Sequence, residues 1–182
     1  MRKILLVIDM QKDFIDGALG TKEAEGIVAR VCDTMRAYAP EDIYATKDTH
    51  GEDYLETQEG RLLPVKHCIR GTAGWEFDPA VVPYILPEHV FEKGAFGSPE
   101  MANAMKQLYE EEGGEVEFLL IGLCTDICVV SNALLLKAAI PEARISVDPA
   151  GCAGVTPESH AAALQTMQAC QVEVMYENSR SA

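Results

Sequence analysis

The chain lacks a hydrophobic run long enough to cross a membrane. A spanning helix needs about 20 consecutive apolar residues, whereas the first apolar run, residues 4–8, stops at Asp9. That run is also shorter than the roughly 7–15 apolar residues of a signal peptide, and no small-residue cleavage site follows it. We interpret it as a buried strand, and we expect a cytoplasmic protein without a membrane partner.

Positive charge is also scarce. The chain has 15 Lys and Arg against 29 Asp and Glu, so its formal net charge is −14. Such a surface repels the phosphates of nucleic acids and anionic lipids, and we expect neither as a partner. Internal repeats, low-complexity tracts and linkers are absent as well. Together with a hydrophobic fraction of 48%, this predicts one globular domain over residues 1–182.

The cysteines do not form the dense cluster of a small disulfide-linked protein. They are spread over positions 32, 68, 124, 128, 152 and 170. Free thiols are typical of a reducing compartment, which agrees with the cytoplasm.

Apolar stretches of strand length alternate with amphipathic helical stretches. The predicted strands are residues 3–9, 42–47, 88–93, 116–121, 143–148 and 171–175. The predicted helices are residues 21–38, 98–112, 127–139 and 157–169, and Ser98 is the expected N-cap of the second. The pattern predicts an α/β fold, a three-layer α/β/α sandwich with a six-stranded, mostly parallel, Rossmann-like sheet. The long segment 49–87 is rich in glycine, proline and charge, which favours a functional loop.

Four chemically useful residues fall at the carboxyl ends of these strands, where α/β sheets bind ligands. Asp9 ends the first strand, Asp48 follows the second, Lys93 ends the third, and Cys128 opens the helix after the fourth. Each alone has a plain structural explanation, such as a buried thiol, a turn aspartate or a solvated lysine. Their joint placement on one rim favours an active site.

Cys128 is the candidate nucleophile in this group. A thiol at a helix N-terminus is expected to have a lowered pKa, and nearby backbone N–H groups can stabilise an oxyanion. Asp9 can accept the thiol proton, and Lys93 can stabilise both negative charges. A zinc site formed by Cys124 and Cys128 is the alternative, but their spacing fits no common zinc-finger pairing.

A second candidate site is a metal centre. Asp48 and His50 are close in sequence, and His67 can reach them only if the intervening loop returns. One carboxylate and two imidazoles suit Zn²⁺, Fe²⁺ or Mn²⁺ with positions left open. The alternative is that these are exposed loop histidines.

Residues 9–14 (DMQKDF), Lys93 and residues 124–129 (CTDICV) resemble the isochorismatase-like cysteine hydrolases, and nicotinamidases in particular. The resemblance implies an isochorismatase-like hydrolase fold and a triad of Asp9, Lys93 and Cys128. It also implies a cis peptide between Leu123 and Cys124. The oxyanion hole would be formed by the backbone N–H groups of Cys124 and Cys128.

The same resemblance implies a divalent metal held by Asp48, His50 and His67. Glu59 matches a glutamate that ligates the metal only in some members. Phe14 and Trp75 match aromatic positions that sandwich a flat ring, which stacking would bind. The implied reaction is hydrolysis of nicotinamide to nicotinate and ammonia, in the metabolism of NAD, and we expect a homo-oligomer.

Three alternatives stay open. The first is a cysteine hydrolase of the same fold that acts on N-carbamoyl or ureide substrates. A metal-free site would favour this alternative. The second is a redox protein that uses Cys124 and Cys128 as a dithiol. The third is a metal-binding or interaction module without catalytic activity.

Overall fold

The apolar runs form one parallel sheet. The structure is a computed structural model that describes residues 1–175. Its strands are β1 (Arg2–Ile8), β2 (Ile43–Asp48), β3 (Val90–Lys93), β4 (Val116–Leu123), β5 (Arg144–Ala153) and β6 (Glu173–Val174). They are arranged in the order β3-β2-β1-β4-β5-β6, and every adjacent pair is parallel. The predicted fold is therefore confirmed, with a sheet that is parallel throughout rather than mostly parallel.

Helices cover both faces of the sheet. They are α1 (Lys12–Ile15), α2 (Lys22–Met35), α3 (Gln58–Leu62), α4 (Pro99–Glu111), α5 (Val130–Ala139) and α6 (Pro157–Ala169). Ser98 caps α4 as predicted, because its side chain accepts a hydrogen bond from the Met101 N–H. None of the helices within residues 1–175 is both long and apolar enough to span a bilayer.

Successive side chains of the central strand β1 point into two different hydrophobic cores. Ile4, Leu6 and Ile8 pack into the core that also receives side chains from α4, α5 and α6. Leu5 and Val7 pack into the opposite core together with side chains from α2. This period of two is what a strand buried on both faces requires, and it produces the three layers.

Two regions differ from the sequence-based expectation. The helix predicted to begin at residue 127 is preceded by a π-helical turn over Thr125–Val129, in which the Val129 N–H donates to the Cys124 carbonyl at 3.0 Å. The segment 49–87 contains α3 and short 3₁₀ turns. Bridges from His50 to Ile69 and from Gln11 to Phe77 fix it against the rest of the fold.

The strand order reverses between β1 and β4, and the carboxyl ends of these strands flank the crevice that results. Gly122 lies beside Ile8 there, with a φ of +121°. A Cβ at this position would be 2.1 Å from the Ile8 carbonyl oxygen. Only glycine therefore fits at this close approach.

We predict that Gly122→Ala destabilises the fold by about 3 kcal/mol or more, because it adds both a steric clash and backbone strain. Gly26→Ala is the matched control, since a Cβ on this glycine of α2 meets nothing within 4 Å. That control should stabilise the protein by about 0.5–1 kcal/mol. Urea unfolding followed by circular dichroism measures both, and equal stability of the two variants would contradict the proposed close approach.

Candidate active site

The four residues predicted at the strand ends do meet in space, around the ammonium group of Lys93. Its Nζ lies 2.7 Å from Oδ2 of Asp9 and 3.2 Å from Oδ1 of Asp48. It also donates to Sγ of Cys128 at 3.5 Å. All four side chains are buried. One cation thus contacts both carboxylates and the thiol.

A fifth residue, Thr46, orients Asp9. The Thr46 hydroxyl donates to Oδ1 of Asp9 at 2.6 Å and accepts from the Asp9 N–H at 3.2 Å. Asp9 itself has a φ of +46°, a conformation that aspartate tolerates better than most residues. No sequence signal marked Thr46, which lies inside β2 as an ordinary strand residue.

The pKa of Cys128 differs from the expectation. Burial raises it well above the ordinary value, the negative charge of Asp9 raises it further, and Lys93 only partly opposes this. The lowered pKa expected from a helix N-terminus is therefore wrong for the site without substrate. Complete burial beside a carboxylate outweighs the helix dipole and one ammonium group. At neutral pH the group is a thiol.

Asp9 and Lys93 have perturbed pKa values that match this arrangement. Burial raises the pKa of Asp9, although the charge of Lys93 opposes the shift. Burial alone would lower the pKa of Lys93, but the negative charges of Asp9, Cys128 and Asp48 raise it above the ordinary value. Lys93 is therefore protonated. Asp9 is a carboxylate whose affinity for a proton is increased, as a general base requires.

The predicted metal ligands also converge. Oδ2 of Asp48 lies 2.9 Å from Nε2 of His50 and 3.6 Å from Nε2 of His67. Each of these three residues offers one ligand atom, and the three atoms lie within 4.8 Å of one another. Oε1 of Glu59 is 3.8 Å from Nε2 of both histidines. The loop does return, as the prediction for His67 required.

The hydrogen bonding of His67 suits a metal ligand. Its Nδ1 is 2.8 Å from the Val65 carbonyl oxygen, which can only accept, so Nδ1 donates. This contact orients the ring with Nε2 toward Asp48, as a backbone carbonyl commonly does for a metal-binding histidine. Burial raises the pKa of Asp48, but the hydrogen bond to His50 and the charge of Lys93 lower it below the ordinary value overall. The donor set fits a divalent cation such as Zn²⁺.

Two buried contacts from one segment brace this site. The Gln11 side chain donates to the Asp48 carbonyl at 2.8 Å and accepts from the Asp48 N–H at 2.7 Å. Oδ2 of Asp13 accepts from the N–H of Cys68, the neighbour of His67, at 2.8 Å. Gln11 and Asp13 lie in the motif that suggested the family, but their bracing roles depend on loops distant in sequence.

A cavity of about 210 Å³ opens above Cys128. Its wall includes Phe14, Leu63 and Phe96. The Trp75 indole donates to the Thr49 hydroxyl at 2.9 Å, and its ring lies under Nζ of Lys47 at 3.2 Å. The stacking roles expected for Phe14 and Trp75 stay predictions.

The turn between β4 and α5 supplies the backbone beneath the cavity. The peptide between Leu123 and Cys124 is cis, as the resemblance implied. Oγ1 of the buried Thr125 is hydrogen bonded to Nδ1 of His160 in α6 at 2.8 Å. This bond anchors the turn that presents Cys124 and Cys128 to the cavity.

We predict that Asp13→Asn weakens Zn²⁺ binding about 10-fold. The two carboxylate oxygens accept from the N–H groups of Ala18 and Cys68; an amide has only one accepting oxygen, so the His67 loop loses its brace. Asp16→Asn is the matched control, since Asp16 is exposed and its side chain forms a surface ion pair with Lys12. Competition with a chromogenic chelator measures both dissociation constants. Equal affinities for the two variants would show that Asp13 does not position the metal loop.

Comparison with known proteins places this geometry in a family. The isochorismatase domain model matches residues 3–179. The nicotinamidase/pyrazinamidase of Mycobacterium tuberculosis is 28% identical over 95% of this chain and 98% of its own. The nicotinamidase/pyrazinamidase structure from Bacillus subtilis is 28% identical, covers 97% of this chain and 100% of its own, and has a TM-score of 0.79.

A third relative is a structure solved with a metal. The pyrazinamidase of Pyrococcus horikoshii in complex with zinc is 26% identical, covers 96% of this chain and 99% of its own, and has a TM-score of 0.75. The resemblance inferred from the strand-end motifs is confirmed, and this chain belongs to the isochorismatase family.

Proposed function

We propose that this chain is a metal-assisted cysteine amidohydrolase that converts nicotinamide to nicotinate and ammonia. The family and its nicotinamidase relatives indicate an amidohydrolase that acts on C–N bonds. One observation supports the mechanism above all others. The Cys128 thiol and the Asp9 carboxylate contact the same Lys93 ammonium, and the cavity above Cys128 is also lined by Asp48 and His67.

The first half-reaction forms a thioester. Asp9 takes the proton of Cys128 as Sγ attacks the amide carbonyl carbon. Backbone N–H groups of Cys124 and Cys128 stabilise the oxyanion that develops. Asp9 then gives the proton to the amide nitrogen, the C–N bond breaks, and ammonia leaves.

The second half-reaction reverses the roles. Asp9 deprotonates a water molecule, which attacks the thioester, and the C–S bond breaks to release the carboxylic acid. Sγ leaves as a thiolate and regains the proton held by Asp9. Lys93 stays protonated throughout and stabilises whichever of its neighbours is negative. The raised pKa of Asp9 suits a group that must hold this proton in each half-reaction.

A divalent cation held by Asp48, His50 and His67, with Glu59 as a further candidate ligand, would supply a Lewis acid that holds the ring nitrogen of the substrate. The protein residues place the rest of the ring. Phe14 and Leu63 line the cavity, and Trp75 stays a candidate for stacking on the ring. The carboxamide can then face Cys128.

The metal-ligand set favours nicotinamide over the ureide alternative, because the ureide alternative was expected to have a metal-free site. Asp48, His50 and His67 bring ligand atoms within 4.8 Å of one another. The dithiol alternative is disfavoured because burial raises the pKa of Cys124 to about 12, whereas redox thiols have lowered values.

We predict that Cys128→Ala abolishes turnover of nicotinamide, with ammonia release falling by at least about 10³-fold because the nucleophile is lost. Cys170→Ala is the matched control, since that thiol is exposed and at the end of α6, and it should retain full activity. Near-ultraviolet circular dichroism and zinc analysis should be unchanged in both variants. Ammonia release by Cys128→Ala at the parental rate would refute the mechanism.

We further predict that removing the metal with a chelator lowers kcat/KM for nicotinamide by about 10-fold or more, mainly through KM, because the ring loses its anchor. Benzamide is the matched control substrate, since it has no ring nitrogen, and it should be affected less. Adding back Zn²⁺, Fe²⁺ or Mn²⁺ should restore kcat/KM for nicotinamide. Equal losses on both substrates would mean that the metal does not act on the ring nitrogen.

Other expectations stay predictions. They are one domain over residues 1–182, a homo-oligomeric state and a role in NAD salvage. The six cysteines of the chain are all free, which supports a reducing compartment such as the cytoplasm.

A further inference from the structure

The cavity above Cys128 continues outward into a second space. A groove of about 520 Å³ adjoins it, and the two share Glu59, Leu63, Phe96 and Ile127 in their walls. We call the space above Cys128 the inner compartment and the adjoining groove the outer compartment. The shared residues place the two spaces side by side.

Half of the residues that line the outer compartment are apolar. They are Leu62, Leu63, Ala95, Phe96 and Ile127, and the other lining residues are His50, Thr57, Gln58, Glu59 and Gly94. Leu62 is 79% exposed and Phe96 is 48% exposed. Among the described residues, eight large hydrophobic side chains are exposed, and Leu62, Leu63, Phe96 and Val155 line one or both compartments. Exposed apolar surface is thus concentrated at the mouth of the site, a pattern typical of ligand binding.

Both walls are held in place before any ligand binds. The Tyr54 hydroxyl donates to the Leu63 carbonyl at 3.0 Å. The Asn132 side chain donates to the carbonyls of Phe96 at 3.2 Å and of Cys128 at 2.8 Å. Asn132 therefore ties the Phe96 wall to the backbone of the nucleophile. Preformed walls bind a ligand without a large cost for ordering loops.

We propose that the outer compartment is a substrate subsite for an apolar, uncharged substituent on an aromatic primary amide. This rests on the proposed function. The inner compartment takes the ring and the carboxamide, and the substituent leaves the ring on the side of Phe96 and Ile127. Among the described residues, the outer lining contains no arginine or lysine that could pair with an anionic substituent. The preferred substrate is therefore larger and more apolar than nicotinamide.

The test compares nicotinamide with analogues that carry methyl, propyl or phenyl groups at the ring positions farthest from the carboxamide. For at least one of these ring positions, the parent enzyme should hydrolyse all three analogues. The value of kcat/KM should rise by up to about fourfold for each methylene that is buried. Leu62→Ser should reduce the ratio of kcat/KM for the propyl analogue to that for nicotinamide about fivefold or more. Leu62 is suitable because its exposure makes misfolding of the variant no concern.

Val82→Ser is the matched control. Val82 is 52% exposed, lies in a 3₁₀ turn over Val82–Tyr84 and lines neither compartment, so the ratio should not change. Two results would overturn the subsite. One is a ratio of kcat/KM, analogue to nicotinamide, that falls with substituent size at every ring position. The other is an equal change of this ratio in Leu62→Ser and Val82→Ser.

Failure of the proposed function gives a different result. If nicotinamide itself is not hydrolysed, that function is wrong, and the subsite is tested by calorimetry of the propyl analogue and nicotinamide with the parent and Leu62→Ser. Tighter binding of the propyl analogue only in the parent would support the subsite. Sedimentation velocity adds a last check, because dissociation of an oligomer by Leu62→Ser would mean that a second copy of the chain covers the groove, which would overturn the proposal.

Discussion

The site depends on one buried cation. The Lys93 ammonium lies within 2.7–3.5 Å of two carboxylates and a thiol, all away from bulk water. Burying a carboxylate without a partner is far more costly than burying it beside an ammonium group. Lys93 therefore makes it possible for Asp9 and Asp48 to be ionised next to each other. It also joins the nucleophile to the metal ligands, since Asp48 belongs to both groups of residues.

The segment after β1 positions the residues around Lys93. Asp9 reaches Lys93 at the end of β3, Gln11 holds the backbone of Asp48 at the end of β2, and Asp13 holds the backbone beside His67. The five residues 9–13 thus connect the central strand to β2, to β3 and to the long loop. Gln11 and Asp13 contact main-chain groups, so they fix the path of the loops whatever side chains those loops carry.

The strand-end residues could be predicted from sequence because convergence follows from topology. Parallel strands end on one side of a sheet, so Asp9, Asp48, Lys93 and Cys128 had to meet once the strand pattern was recognised. Trp75 could not be placed in this way. It lies in a loop whose path depends on contacts distant in sequence, such as that with Lys47. The pKa of Cys128 also escaped prediction, because local sequence reveals a helix start but not the extent of burial.

The buried thiol has a consequence for the survival of the enzyme in an oxidising cell. Peroxides and soluble electrophiles react with thiolates that they can reach. Cys128 is 5% exposed, and burial and Asp9 raise its pKa, so little of the reactive form meets such reagents. In the proposed mechanism, the sulfur becomes nucleophilic only as Asp9 accepts its proton. Burial, with the charge of Asp9, would then protect the sulfur between turnovers, and the same carboxylate would activate it during turnover.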